Sequence, residues 1–103
     1  DDKELLDNAY FWKGEASFRL AEATTDKGGA ERLYKESIKA FRYVVIEFSK
    51  SNKRPEALFK IGLAFEALGH ADDAPAFYRE ILAKHAKSPL AAKARKRLDA
   101  LKK

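Results

Sequence analysis

Pro55 and Pro89 stand 34 residues apart, and so do Ala57 and Ala91. A spacing that returns both a proline and the small residue two positions after it points to a repeated unit of that length. Repeats of this size bury their apolar faces by stacking on one another, which narrows the chain to a few architectures.

The local pattern is helical throughout. Leu5, Ala9, Trp12, Ala16 and Leu20 recur at i, i+4, i+7, i+11, the signature of one amphipathic helix over about 3–23. Paired glycine is costly inside a helix, so Thr24 to Gly29 (TTDKGG) is expected to break it. A second stripe, Tyr34, Ile38, Phe41, Val45 and Phe48, predicts a helix over about 30–48. Pro55 suits the first turn of a third helix, about 55–68, which Gly69 would cap. Asp72 or Asp73 is the expected N-cap of a fourth, about 73–86. Ser88-Pro89 opens a fifth, about 89–101. No alternating strand pattern competes.

The 34-residue period is that of tetratricopeptide repeats. The third and fourth helices follow that pattern in order: Leu58, Ile61-Gly62, Phe65, Ala74, Tyr78. Gly62 and Ala74 would be small because the two helices of a repeat approach there, with Phe65 and Tyr78 filling the space beside them. In the first pair Gly14 corresponds to Gly62, Phe41 to Tyr78 and Ser37 to Ala74. Gly14 and Ser37 are 23 residues apart against 12 for Gly62 and Ala74, so the first connection is expected to carry 11 extra residues. The expected fold is an all-α, tetratricopeptide-type right-handed αα-superhelix: two hairpins and a C-terminal capping helix, one domain over 1–103.

Several segments carry a more specific resemblance. Asn8 to Ser17 (NAYFWKGEAS), Phe41 to Ser49 (FRYVVIEFS), Tyr78 to Pro89 (YREILAKHAKSP) and Ala91 to Leu101 (AAKARKRLDAL) resemble the repeats of bacterial envelope proteins. The chain is similar to the periplasmic, Tol–Pal-associated YbgF/CpoB family and shares its style with outer-membrane assembly lipoproteins. His85-Ala86 stands where that family has Tyr-Pro. The resemblance implies a non-enzymatic scaffold in the cell envelope, tied to Tol–Pal and cell division, that binds a protein segment in its concave groove. It implies a periplasmic location, with the cytoplasm as the alternative.

Composition excludes some classes. No apolar run approaches the ~20 residues of a membrane span. Cysteine is absent, so there are no disulfides and no thiolate chemistry. The opening Asp1-Asp2-Lys3-Glu4 reads as part of a longer chain. Formal charge is uneven: −4 over 1–31, +2 over 32–78 and +7 over 79–103. The basic end reads first as a solvated helix face. The competing reading is an anion or nucleic-acid surface built from Lys93, Arg95, Lys96, Arg97, Lys102 and Lys103, though no aromatic interleaves it for stacking.

Catalytic constellations are hard to assemble. His70, with Asp72 and Asp73 nearby, offers one imidazole and two carboxylates that capping explains, so neither metal nor cofactor is expected. His85 sits at a core-type helical position, and Gly28-Gly29 lacks the Lys-Ser/Thr of a phosphate loop. The resemblance instead places the groove on Asn8, Phe11, Glu15 and Phe18, then Glu56, Phe59, Leu63 and Glu66, then Leu90, Lys93 and Arg97. Phe11, Phe18, Phe59 and Leu63 would give it an apolar floor. They could equally pack on an upstream repeat or on the long first connection. The clamp that grips chaperone tails needs Lys or Asn where Phe11, Glu15 and Leu63 stand, and is not expected.

Overall fold

The first two helices are much longer than the rest, and this difference organises the chain. A computed structural model describes the backbone of residues 2–102 and the side chains of residues 5–102. It contains α1 (Asp2–Ala23), α2 (Lys27–Glu47), α3 (Arg54–Ala67), a 3-10 turn (Ala71–Asp73), α4 (Pro75–Lys84) and α5 (Leu90–Leu101). There is no strand among the described residues. Each helix packs on the next, and α3 also touches α5. The whole measures 39 × 30 × 18 Å.

Only Thr24–Asp26 separates α1 from α2, not the long connection expected. Asp26 is the cause: its Oδ2 accepts the Gly29 N–H at 2.7 Å and starts the helix three residues early. Gly28 and Gly29 therefore lie in the first turn of α2, where the N–H groups need outside acceptors anyway. The extra residues lengthen helices. α1 and α2 have 22 and 21 residues, against 14 and 10 in α3 and α4.

The other ends divide between expectation and correction. Gly69 ends α3 at φ +82°, with its N–H bonded to Glu66 O and that of His70 to Phe65 O, a Schellman closure. Asp72 and Asp73 do not cap α4. Both fall in the 3-10 turn, and α4 starts at Pro75 after an Ala74 that offers no side-chain acceptor. Ser88 Oγ accepts the Leu90 N–H at 3.1 Å, so it does bind the start of α5, one position outside the N-cap at Pro89.

Both hairpins close on the same contact. An added Cβ at Gly14 would lie 2.9 Å from the Phe41 ring, and one at Gly62 would lie 2.6 Å from Tyr78 Cζ. Only glycine lets the helices approach this far. Ser37 and Ala74, the matching small residues, are fully buried. The aromatic pairs Tyr10–Tyr43, Phe11–Phe41 and Phe18–Tyr34 descend α1 as they climb α2, which makes the first pair antiparallel.

Two core clusters follow. One joins α1, α2 and α3 through Phe11, Phe18, Ile38, Phe41, Val44 and Ile61. The other joins α3, α4 and α5 through Leu58, Tyr78, Ile81 and Ala94. Val45, Phe65 and Phe77 pack against both and make the core continuous.

The face of α1 that enters this core is not the stripe that periodicity singles out. Leu5, Ala9, Trp12, Ala16 and Leu20 are exposed, and Phe11, Gly14, Phe18 and Ala21 are buried. Helix α1 has two apolar faces. The one with glycine and phenylalanine wins because it alone permits the close approach at Phe41.

Candidate protein-binding surfaces

The expected groove residues fall into three groups. Phe11, Glu15 and Phe18 are buried, at 6%, 8% and 4% exposure, so they belong to the core and form no open floor. Glu56, Phe59, Leu63, Glu66, Leu90 and Arg97 are half-buried, while Asn8 and Lys93 are exposed. Phe59 lies against the Tyr78 ring at 5.6 Å, and Leu63 packs on the first core cluster.

Charge pairs tie this face together across helices. Lys60 Nζ on α3 stands 3.6 Å from Glu15 Oε1 on α1 and 4.6 Å from the centre of the Phe18 ring. Its ammonium thus covers a phenylalanine that would otherwise meet water. Lys53 does the same over Phe11, at 5.6 Å. Farther along, Glu66 of α3 accepts from both Nε and Nη2 of Arg97 on α5, one edge of the guanidinium, and from the Tyr78 hydroxyl at 2.5 Å. Burial opposes ionisation of Glu66, but the Arg97 and Tyr78 hydrogen bonds outweigh it and hold its carboxyl below the ordinary value. Burial and the same carboxylate push the Tyr78 hydroxyl well up, so it serves purely as a donor.

A second polar centre went unseen in the sequence. Arg54 donates to Val45 O at 3.1 Å, to His85 Nε2 at 3.0 Å and to Glu80 Oε2 at 3.2 Å, linking α2, α3 and α4. Since arginine only donates, His85 Nε2 is the acceptor and the imidazole is neutral. Burial and the Arg54 charge both lower its affinity for a proton. The partners lie 9, 31 and 26 residues away, beyond the reach of helical periodicity.

Of the basic end, Lys93, Arg95, Lys96 and Lys102 are exposed, Arg97 is engaged with Glu66, and Lys103 lies outside the described residues. His70, Asp72 and Asp73 are exposed, and no group of three or more His, Asp or Glu side chains spaced for a metal occurs among the described residues. No described helix is long and apolar enough to cross a membrane.

The exposed large hydrophobic side chains gather on two helices. Leu5, Leu6, Trp12 and Leu20 of α1, with Tyr43 and Ile46 of α2, are between 37% and 68% exposed. These are all the large hydrophobic side chains so exposed among the described residues, and α3, α4 and α5 contribute none. Tyr43 stacks on Tyr10 at 4.0 Å. A concentration of exposed large apolar side chains on one hairpin marks a candidate interaction site, whereas single scattered ones are ordinary.

No protein-family model, no curated protein and no solved structure matches the chain.

Proposed function

We propose that the chain is a non-enzymatic protein–protein interaction module, built as two tetratricopeptide-like hairpins with a closing helix. The repeated glycine–aromatic contact, Gly14 on Phe41 and Gly62 on Tyr78, supports the repeat architecture. The concentration of exposed large apolar side chains on the α1–α2 hairpin carries the functional reading. Covering a side chain such as Leu5, Trp12 or Leu20 contributes on the order of 1.5–3 kcal/mol. A few of them support micromolar binding once the costs of association are met.

A second face is favoured by Phe59 and Leu63, half-exposed between the Glu15–Lys60 and Glu66–Arg97 pairs. That arrangement suits an extended peptide with apolar anchors and charged flanks. We put both partners in the periplasm, with the cytoplasm as the alternative, on the resemblance of Phe41 to Ser49 and Tyr78 to Pro89 to envelope repeat sequences.

The two faces separate by mutation. Capture of partners from envelope extract should be lost with Trp12→Glu and kept with Phe59→Ala, with helical circular dichroism unchanged in both. The reverse pattern moves the site to α3. Loss of capture on raising salt, with both variants wild-type, transfers it to the basic residues Lys93, Arg95 and Lys96.

A further inference from the structure

The four aliphatic residues of the stripe that α1 turns to solvent are placed symmetrically along the helix. The stripe runs Leu5, Ala9, Trp12, Ala16, Leu20, so the leucines and the alanines lie symmetrically about a point between Trp12 and Lys13. Laid antiparallel on a copy of itself about that point, leucine meets leucine and alanine meets alanine. The point is also the centre of the four-residue hole Ala9, Trp12, Lys13 and Ala16, whose spacing is that of knobs-into-holes packing. Two walls of the hole are methyl groups, which leaves room for an incoming indole.

We propose that α1 is a self-association helix: two copies pair through antiparallel α1 helices, with Trp12 of each entering the hole of the other. The pairing rests on the reading of the α1 outer face as an interaction surface and names its occupant. A twofold axis makes residue i meet j wherever j meets i, and in this register the leucines and the alanines meet their own kind while Trp12 meets Lys13. Leucine on leucine and alanine on alanine, with a cation beside the indole, favour a second copy of this helix as the occupant. The flanks agree: Lys13 lies opposite Trp12, where its ammonium can rest on the indole face, and Asn8 lies opposite Ser17. No like charges oppose each other from Leu5 to Leu20 in this register. The core does not obstruct the approach, since the buried residues Phe11, Gly14 and Phe18 occupy the other side of α1.

The stripe is about 23 Å long at 1.5 Å per residue. One helix laid on another covers less than the ~800 Å² per partner of a standard interface. The dimer is therefore expected to be weak and concentration-dependent.

Sedimentation equilibrium of the purified chain should show the weight-average mass rising from monomer toward dimer with concentration. Trp12 is the sole tryptophan, so its emission should shift to the blue over the same range. Ala16→Glu fills the hole with charge and should hold the protein monomeric with unchanged circular dichroism. Because the chain has no cysteine, register can be read directly. Ala9→Cys mixed with Ala16→Cys should form a disulfide-linked heterodimer under mild oxidation, and neither variant alone should cross-link. A wild-type chain that stays monomeric, or Ala9→Cys cross-linking to itself, overturns the pairing. If a monomeric chain still loses a foreign partner through Trp12→Glu, the pairing fails and the interaction surface stands. If a dimer persists in Ala16→Glu and partner capture survives Trp12→Glu, both fail.

Discussion

The α1–α2 hairpin and the α3–α5 half of the molecule reach the same glycine–aromatic contact by different means. The first is joined by rings: Tyr10 on Tyr43, Phe11 on Phe41, Phe18 on Tyr34, with no ion pair linking α1 to α2 among the described residues. The second places a charged centre at each junction, Glu66 with Arg97 and Tyr78, and Arg54 with His85 and Glu80. The outer surfaces differ in the same way. The first leaves six large apolar side chains uncovered and the second none. Aromatic packing tolerates a helix with two apolar faces, because it does not specify which face is satisfied. Charged junctions are directional, and the helices they fix have polar exteriors.

The comparison is most easily broken inside the first hairpin. Phe41 is fully buried, and Phe41→Ala should cost about 3–5 kcal/mol in urea denaturation. Trp12 is 55% exposed, and Trp12→Ala should cost less than about 1 kcal/mol in dilute solution, through its edge contact with Phe11. Similar losses at both positions would mean that the outer stripe is part of the fold.

The next test sets one hairpin against the other. Gly62→Ala and Gly14→Ala should each destabilise by overpacking, within about 1–3 kcal/mol. Gly62→Ala should be the worse, since Tyr78 is anchored to Glu66 and cannot slide, whereas Phe41 has no polar tether. An inverted order of melting temperatures would remove the distinction between tethered and untethered rings.

The smallest effect is acid sensitivity confined to the second half. Glu66 ionises below its ordinary 4.5 in the folded chain, so folding gains from its charge above that pH and loses the gain as pH falls through the depressed value. His85 resists protonation below its ordinary 6.5, so its contribution also declines on acidification, beginning at higher pH. Amide exchange should accelerate in α4 and α5 before α1 and α2 as pH is lowered. Glu66→Gln should flatten the lower part of that profile, and His85→Gln the upper. Equal acceleration in both halves would count against the charged junctions.

What the sequence disclosed follows the same division. Five helices, the Gly69 stop and the pairing of Gly14 with Phe41 and Gly62 with Tyr78 were legible, because each depends on local chemistry or on the 34-residue period. The buried face of α1 was not, since Leu5–Leu20 and Phe11–Ala21 both carry helical periodicity and only the position of α2 decides between them. Asp26 shows why the first connection was overestimated: a paired glycine breaks a helix in its interior but is tolerated one turn from a strong cap. The Arg54 and Glu66 centres were invisible because their partners meet only once the helices have stacked. Phe11 and Phe18 were assigned to a groove by analogy with longer arrays, yet here Lys53 and Lys60 lie over them.

The 18 Å depth of the molecule is less than twice the 10–12 Å width of a helix with its side chains. The chain is a tile rather than a vessel. The outer helices keep one side against their neighbours and one against the medium, while α3 between them has Ala67 as its one exposed residue. A tile acts through its edges and faces, where adding a copy extends the surface without thickening it.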